Sequence, residues 1–216
     1  MTARLRLLLL DLDGTLIESL AVKDTAFARL YADAPRFDEI MAYHRSHNHV
    51  VRFKKFRHIS EHFLGRPLSA EEDAGLRKTF ESFVVDGLVR CPEVTGARRF
   101  LDTYQGVVPM VLISHSPDGE LRRVLAARGL DRYFEAIYSA DWTKQEAIAD
   151  ALTVHGVSAA ETVYVGDSPE DAGAAAANGV AFVGRRSDRN LNVVEACVFA
   201  DMNGVREHLA AAYRTE

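Results

Sequence analysis

The chain has 216 residues, of which 48% are hydrophobic and 26% are charged, and its net charge at pH 7 is −5. This composition is typical of a soluble globular protein, with room for one large domain or for a core with an inserted lobe. The negative charge gives no general attraction to nucleic acid or anionic membrane, and no apolar run approaches the roughly 20 residues that span a bilayer. We therefore expect a cytoplasmic protein without nucleic-acid or membrane partners, in which Cys91 and Cys197 are reduced.

The first predicted element is a buried strand, because residues 7–10 are four consecutive leucines. Asp11 and Asp13 follow it, and since side chains two apart along a strand point the same way, both are expected to face one site. Two close carboxylates there require a cation, and a divalent metal supplies it, leaving one acid as nucleophile and the other as proton carrier. Gly14 permits a sharp turn, and Thr15 offers a hydroxyl and an amide to an oxyanion. The alternative is an ordinary D-x-D-G turn.

A helical segment is predicted between about Ser19 and Arg90, where the spacing of apolar residues changes to a helical period. The face of one predicted helix, which ends near residues 65–67, is formed by Val50, Phe53, Phe56, Ser60 and Phe63. Ser69 is predicted to cap the next helix, since acids fill its first turn. We interpret this segment as an insertion into a fold formed by the residues before and after it.

From Cys91 onward, strands and helices are predicted to alternate. Helices are expected at about 96–104, 117–127, 144–155 and 169–178 and at the C-terminus, and strands at about 107–113, 136–138, 162–165, 180–183 and 198–199. Such alternation predicts an α/β fold with a parallel sheet that is covered by helices on both faces.

Two further polar positions follow or precede these elements. Ser114 ends a predicted buried strand just before a helix N-terminus, where free amides favour a phosphate; alternatively Ser116 only caps the helix begun by Pro117. Lys144 opens a helix, where a cation opposes the helix dipole. That position suits a lysine that neutralises both a phosphate and a nucleophilic carboxylate, and a solvated surface lysine is the alternative.

Asp167 and Asp171 form the last acidic pair, at the end of a predicted strand and one turn into the following helix. They are suited to hold Mg²⁺ directly or through its waters, since this ion takes few carboxylates and keeps several waters. Alternatively Asp171 compensates the helix dipole and Ser168 caps the helix before Pro169. Three distant strands that each end in such residues favour one shared metal and phosphate site.

These segments together resemble the haloacid dehalogenase-like hydrolase superfamily, across the whole core and in order. The matching pieces are DLDGTL at 11–16, Ser114, Lys144 and GDSPED at 166–171. The intervening segment resembles the helical cap of phosphoglycolate phosphatase-like members. The resemblance implies a Rossmann-like, doubly wound parallel sheet formed by residues 1–18 and 91–216, with an inserted α-helical cap domain at residues 19–90.

The resemblance also implies a mechanism. Asp11 would attack phosphorus and become an aspartyl phosphate, while Asp13 would protonate the leaving oxygen and later activate water. Ser114 and Lys144 would hold the phosphoryl group. The implied Mg²⁺ ligands are Asp11, the backbone carbonyl of Asp13, Asp167 and, in support, Asp171. The expected activity is Mg²⁺-dependent hydrolysis of a small phosphorylated metabolite by a monomer or homodimer; a phosphosugar mutase and a non-catalytic phosphate-binding or regulatory protein are the alternatives.

Substrate selection is expected from the helical segment and from departures from the family pattern. His115 stands where relatives commonly have Gly or Asn, and it is predicted with Thr15 to contact substrate; in addition, Lys144 lacks the proline that often follows it. Five of the eight histidines lie between residues 44 and 62. There, Arg52 and Lys55 lie three apart on one helix face. With His47 or Asn48, they are hypothesised to meet a polar or anionic part of the substrate; a solvated basic face and a histidine metal site are the alternatives.

Overall fold

The computed structural model describes residues 3–47, 50–187 and 197–215. Two compact units make up the chain: a core of Met1–Glu18 and Pro92–Glu216, and a helical unit of Ser19–Cys91. The sequence places the second boundary one residue earlier, after Arg90. Within the described ranges, no helix is long and apolar enough to cross a lipid bilayer.

Helices and strands are numbered here in chain order over the described residues. The helices are α1 (Leu20–Leu30), α2 (Phe37–Ser46), α3 (Arg52–His62), α4 (Ala70–Arg90), α5 (Ala97–Tyr104), α6 (Asp118–Arg128), α7 (Lys144–His155), α8 (Pro169–Ala177) and α9 (Met202–Ala212). The strands are β1 (Ala3–Arg4), β2 (Leu7–Leu10), β3 (Met110–Ile113), β4 (Ala136–Tyr138), β5 (Thr162–Gly166), β6 (Ala181–Arg185), β7 (Cys197–Phe199) and β8 (Tyr213–Arg214). Single 3₁₀ turns lie at Asp131–Tyr133 and Ala159–Glu161.

The main sheet of the core has six parallel strands in the order β4-β3-β2-β5-β6-β7. Within this sheet, the chain path begins near the centre with β2 and winds outward through β3 and β4. It then returns to the centre and winds the other way through β5, β6 and β7. This confirms the predicted doubly wound α/β fold. The winding reverses between β2 and β5, and ligands of such sheets bind at the carboxyl ends of the strands that flank this point. A separate parallel pair, β1 and β8, was not predicted.

Strand β2 is buried on both faces, which explains why its sequence is a continuous leucine run and not an alternating one. The helices α7 and α8 contribute small residues to the layer that covers it. That cluster comprises Leu7, Leu9, Val111, Ile113, Tyr138, Ala147, Ile148, Ala151, Tyr164, Ala174, Ala175 and Val180. The alanines let α8 approach the sheet closely, as its alanine-rich sequence predicts.

The helical unit has its own aromatic core. The rings of Phe27, Phe56 and Phe80 are buried, and their centroids lie 5.0–5.8 Å apart in tilted or edge-on pairs. Ser69 caps α4 as predicted: its side chain accepts from the amide of Glu72, whose carboxylate accepts from the amide of Ser69. The reciprocal bonds satisfy two amides that the first turn of a helix leaves without partners.

The predicted buried face of α3 is correct at Phe56 and Ser60 and wrong at Phe53 and Phe63. Its buried residues are Lys55, Phe56, Ile59 and Ser60, and the helix ends at His62. Phe53 and Phe63 are only partly buried, because cations cover them: the guanidinium of Arg77 lies 4.8 Å from the ring of Phe53, and that of Arg36 lies 4.9 Å from the ring of Phe63. Aromatic residues at helical spacing therefore do not by themselves identify the buried face, because cation–π contacts stabilise them nearer the surface.

The two largest differences between predicted and observed strand limits lie at the start of β3 and at the end of β6. Strand β3 starts at Met110 and not at residue 107, because the amides of Val107 and Val108 both donate to the carbonyl of Tyr104 and close a turn after α5. Strand β6 runs to Arg185, two residues beyond its predicted end. The second difference brings a charged side chain to the edge of the sheet where ligands bind.

Candidate active site

The chain makes a closed turn directly after β2. The amide of Asp11 still donates to the carbonyl of Val165, so this residue stays beside β5. In the next residues, here called the Asp13 turn (residues 12–17), the amide of Ile17 donates to the carbonyl of Leu12 and the amide of Gly14 donates to the carbonyl of Ile17. These bonds fold residues 12–17 back over the end of the sheet.

Gly14 is required at this turn for two reasons. Its φ is 81°, in the left-handed region that favours glycine. A Cβ at this position would also lie 2.0 Å from Oδ2 of Asp167. The Asp13 turn is thus packed directly against the carboxylate of Asp167, the residue that follows β5.

Lys144 is the cation of the site. Thr143 and Glu146 form a capping box that places Lys144 at the first position of α7. Its buried Nζ donates to Oδ1 of Asp11 at 2.9 Å and to Oδ1 of Asp171 at 2.5 Å. The lysine therefore lies against the helix dipole because two carboxylates outweigh it, and the alternative of a solvated surface lysine is wrong.

Asp171 lies at the centre of a buried hydrogen-bond network. Tyr164 and Ser168 each donate a hydroxyl to it at 2.6 Å, and the amide of Ser168 donates at 3.0 Å. Ser168 in turn caps α8, so Asp171 belongs both to a capping box and to the Lys144 network. The capping alternative weighed for these residues is correct, and the same atoms also serve the cluster.

Three buried carboxylates meet at this point. Asp11, Asp167 and Asp171 each offer an oxygen, and these oxygens lie within 4.8 Å of one another. Three ionised carboxylates against the single ammonium of Lys144 leave two negative charges in a buried site, which a divalent cation would balance. An all-oxygen donor set of this kind suits Mg²⁺. The residues present therefore fit the predicted ion.

The electrostatics of the cluster show the same excess of negative charge. Burial raises the pKa of Asp11 well above its usual value, and the neighbouring carboxylates reinforce this against the opposing charge of Lys144. Burial and the charge of Asp171 raise the pKa of Asp167 to about 7. For Asp171 itself, burial is outweighed by the charge of Lys144 and by hydrogen bonds, which hold its pKa below the usual value. Near neutral pH, a proton and a cation therefore compete for Asp167.

The predicted phosphate-binding residues lie around the end of β3 and in the Asp13 turn. Ser114 is buried, its amide donates to the carbonyl of Tyr138, and its hydroxyl accepts from the amide of Ser116. The hydroxyl of Thr15 is buried with no hydrogen-bond partner among the described residues. Leaving a hydroxyl unpaired costs about 1–3 kcal/mol, a cost that an oxyanion within its reach would remove.

Ser116 and His115 take positions that the sequence did not define. Pro117, and not Ser116, is the N-cap of α6, so the capping alternative for Ser116 is wrong. The Ser116 hydroxyl instead donates to Oδ2 of Asp13 at 3.4 Å. Nδ1 of His115 lies 3.4 Å from Oε2 of Glu170, on the first turn of α8. Substrate contact by His115 stays a prediction.

In the helical unit, the two predicted substrate contacts differ in environment. The guanidinium of Arg52 lies 4.7 Å from the ring centre of Phe80. Lys55 is buried, and its Nζ lies 3.3 Å from Nδ1 and 3.2 Å from the carbonyl of His44. It is thus on the buried face of α3 and not beside the apolar stripe. Asn48 lies outside the described residues, and substrate contact by Arg52 and Lys55 stays a prediction.

Sequence reasoning missed three residues that contact the site. Tyr164 and Ser187 hydrogen-bond to Asp171 and Asp167, respectively, and Arg185 contacts the Asp13 turn. A tyrosine inside a buried strand was a usable signal, because its hydroxyl must find a partner. The other two gave none, because the strand was predicted to end before them.

Comparison with known proteins agrees with this geometry. The model of the family described as haloacid dehalogenase-like hydrolase matches residues 5–179. A phosphoglycolate phosphatase from Pseudomonas syringae pv. syringae is 29% identical over 192 residues, which cover 82% of this chain and 68% of that protein.

Solved structures show the same fold. A predicted phosphoglycolate phosphatase from Haemophilus somnus superposes with a TM-score of 0.77 at 17% identity, over 94% of this chain and 97% of that one. YfnB from Bacillus subtilis, a putative HAD-hydrolase bound to magnesium, superposes with a TM-score of 0.71 at 19% identity, over 95% of this chain and 99% of that one.

We expect Mg²⁺ to bind about tenfold more tightly at pH 8 than at pH 6, because Asp167, with its pKa of about 7, must lose a proton. Without Mg²⁺ the sign reverses: between pH of about 4 and 7 the folded chain holds a proton on Asp167 that the unfolded chain has lost, so the free energy of unfolding falls as pH rises. Calorimetric Mg²⁺ titrations and denaturant unfolding at both pH values measure these effects.

Asp167→Asn should remove the pH dependence of Mg²⁺ binding together with most of the affinity. The control is Asp150→Asn, since the Asp150 carboxylate accepts the hydroxyl of Tyr138 and is not part of the cluster. Equal wild-type affinity at pH 6 and pH 8 would contradict the assignment.

Gly14→Ala should lose about 1–2 kcal/mol from the left-handed backbone and, in addition, most Mg²⁺ affinity, because its Cβ displaces Asp167. Gly129→Ala is the matched control: Gly129 also has a positive φ, but its Cβ would meet nothing within 4 Å. It should lose similar stability and retain Mg²⁺ binding. Unfolding and Mg²⁺ titration of both variants test this, and unchanged Mg²⁺ binding by Gly14→Ala would disprove the contact.

Proposed function

This chain belongs to the haloacid dehalogenase-like hydrolases, and we propose that it is a Mg²⁺-dependent phosphatase that hydrolyses a small organic phosphate monoester through an aspartyl phosphate on Asp11. The observation that supports the proposal is the contact of Asp11 with Lys144 at the carboxyl end of β2, beside two further buried carboxylates. This arrangement holds a nucleophilic carboxylate next to a cation and a metal-binding donor set.

In the proposed first step, a carboxylate oxygen of Asp11 forms a bond to phosphorus and the ester P–O bond breaks. Asp13 gives its proton to the leaving oxygen, so that an alcohol departs. Lys144, which fixes Oδ1 of Asp11, and Ser114 offset the charge on the phosphoryl oxygens. Mg²⁺ held by Asp11, Asp167 and Asp171 would supply further charge neutralisation.

In the second step, Asp13 takes a proton from water, whose oxygen attacks phosphorus. The bond between phosphorus and Asp11 breaks, which releases inorganic phosphate and restores the carboxylate. The Ser116 hydroxyl bonds to Asp13 in the absence of substrate and helps to orient it between the two proton transfers. The position of Asp13, in the turn that follows β2, suits a group that works in both steps.

The first substrate to test is 2-phosphoglycolate. Relatives at 29% identity are phosphoglycolate phosphatases, which supports a small phosphorylated carboxylate. Lys144 and Ser114 are proposed to contact only the phosphoryl group, so the rest of the substrate must be recognised by other residues. A cytoplasmic location stays a prediction.

Wild-type protein with Mg²⁺ should release phosphate from 2-phosphoglycolate and from p-nitrophenyl phosphate, and a chelator should stop it. Asp11→Asn should lower kcat by at least about 10³-fold on both, because it removes the nucleophile. Asp102→Asn, which alters a carboxylate bonded to Tyr133, is the control. Isomerisation of sugar phosphates without phosphate release would instead identify a mutase, and activity that survives in Asp11→Asn would reject the mechanism.

Arg52→Ala should raise KM for the physiological substrate by on the order of tenfold and leave p-nitrophenyl phosphate hydrolysis unchanged, if Arg52 binds the part of the substrate beyond phosphate. The matched control is Arg77→Ala, whose guanidinium also lies over a phenylalanine of the helical unit. Equal losses on both substrates would reject the specificity role.

A further inference from the structure

Arg185, the last residue of β6, is buried and its guanidinium contacts the segment that begins with Asp13. One of its terminal nitrogens, Nη1, donates to the carbonyl of Gly14 at 2.9 Å and to Oε2 of Glu18 at 3.1 Å. The other, Nη2, donates to Oε1 of Glu18 at 2.5 Å. The guanidinium thus binds the residue that follows Asp13 and the residue that follows the Asp13 turn.

These contacts fix both polar groups of Gly14. Its amide donates to the carbonyl of Ile17 inside the turn, and its carbonyl accepts from Arg185. Its α-carbon faces Asp167 so closely that no Cβ fits. The residue next to Asp13 is therefore held on one side by a strand-end arginine and on the other by a predicted metal ligand.

The segment after β6 also contacts that ligand directly. The side chain of Ser187, two residues beyond Arg185, hydrogen-bonds to Asp167 and lowers its pKa, against the larger effect of burial. Residues 185–187 therefore set the positions of the Asp13 turn and of Asp167 together. They lie outside the three strand-end motifs on which the function was predicted.

The orientation of Arg185 leaves one of its donors without a partner among the described residues. Its Nε is buried and has no hydrogen-bond partner within the part of the chain described. A buried donor without a partner costs about 1–3 kcal/mol. The guanidinium is thus oriented toward Gly14 and Glu18 at the expense of its third donor position.

We propose that Arg185 is a positioning residue for proton transfer by Asp13, an inference that rests on the phosphatase activity proposed above. Arg185 touches none of the reacting atoms; it holds the turn so that the Asp13 carboxyl meets the leaving oxygen. General acid catalysis contributes about 10²–10⁴-fold, and a shift of about 1 Å removes much of such an effect. Loss of Arg185 should therefore impair the reaction in proportion to how much the leaving group needs a proton.

The test compares two esters that differ in this need. The leaving group of an alkyl phosphate such as 2-phosphoglycolate is a basic alkoxide unless it is protonated, whereas p-nitrophenolate is a stable anion. In Arg185→Lys and Arg185→Met, kcat/KM for the alkyl ester should fall on the order of tenfold more than for p-nitrophenyl phosphate. Asp13→Asn should show the same selectivity, and adding Arg185→Met to it should lower the ratio no further.

Arg36→Lys is the matched control, because Arg36 likewise pairs with a glutamate, Glu39, and donates to a backbone carbonyl, that of His62, within the helical unit. Its ratio of the two kcat/KM values should equal that of the wild type. Glu18→Gln keeps the Gly14 contact and weakens the ion pair, so it should show a smaller selective loss; it carries the test if the Arg185 variants do not fold.

Equal losses on both esters, or no loss, would overturn the positioning role and point to a purely structural arginine. Thermal unfolding of each variant separates lost stability from lost selectivity. The proposed function fails separately, if wild-type protein with Mg²⁺ releases phosphate from neither ester.

Discussion

The buried ammonium of Lys144, shared between Asp11 and Asp171, is the interaction on which the candidate site depends. Removing one partner from a buried ion pair typically costs about 3–5 kcal/mol, because the other charge is left uncompensated. Here the lysine also brings together residues that are 133 and 27 positions away in the chain. It therefore ties the residue that follows β2 and the first turn of α8 to the start of α7.

One lysine does not neutralise the cluster, and that imbalance gives the site its chemistry. Asp167 has no ammonium of its own, and its raised pKa measures how unfavourable its charge is without a cation. Sites of this kind bind metal tightly at some expense of stability in the metal-free chain. The hydroxyls of Tyr164 and Ser168 stabilise Asp171 in its ionised form, so the unfavourable charge is concentrated on the two remaining acids.

Local interactions at the helix N-termini fix where Lys144 and Asp171 lie within their helices. A capping box fixes the start of α7, so that Lys144 is its first residue. A second one, Ser168 with Asp171, fixes the start of α8. Because each box depends on residues three apart, the sequence alone is sufficient to place these side chains at helix N-termini beside the sheet. Their convergence then follows from the parallel sheet, whose carboxyl ends meet at one edge.

This is why the fold and the acidic cluster were predictable and the supporting residues were not. Asp11, Lys144 and Asp167 each adjoin a strand or helix whose period can be read from the chain. Arg185 and Ser187 depend on where β6 ends, and a strand end has no period. The burial of Lys55 was not predictable either, because a pattern of charge alone assigns a lysine to the surface.

The helical unit shows how a lysine in a basic segment becomes buried. An ammonium only donates hydrogen bonds, so Nδ1 of His44, 3.3 Å from Nζ of Lys55, accepts, and the proton lies on Nε2. That nitrogen is 2.9 Å from Oδ1 of Asp24, to which it donates, while the imidazole stacks on Phe27 at 3.8 Å. The imidazole thus connects the ammonium to a carboxylate through two charge-assisted hydrogen bonds.

This network divides the basic segment by role. The ammonium of Lys55 lies within hydrogen-bond distance of His44 on α2, whereas the guanidinium of Arg52 lies over the ring of Phe80. A rule that counts cations along a helix treats the two alike. Burial separates them, because a buried ammonium must spend its donors on neighbours within the fold and has few left for a ligand.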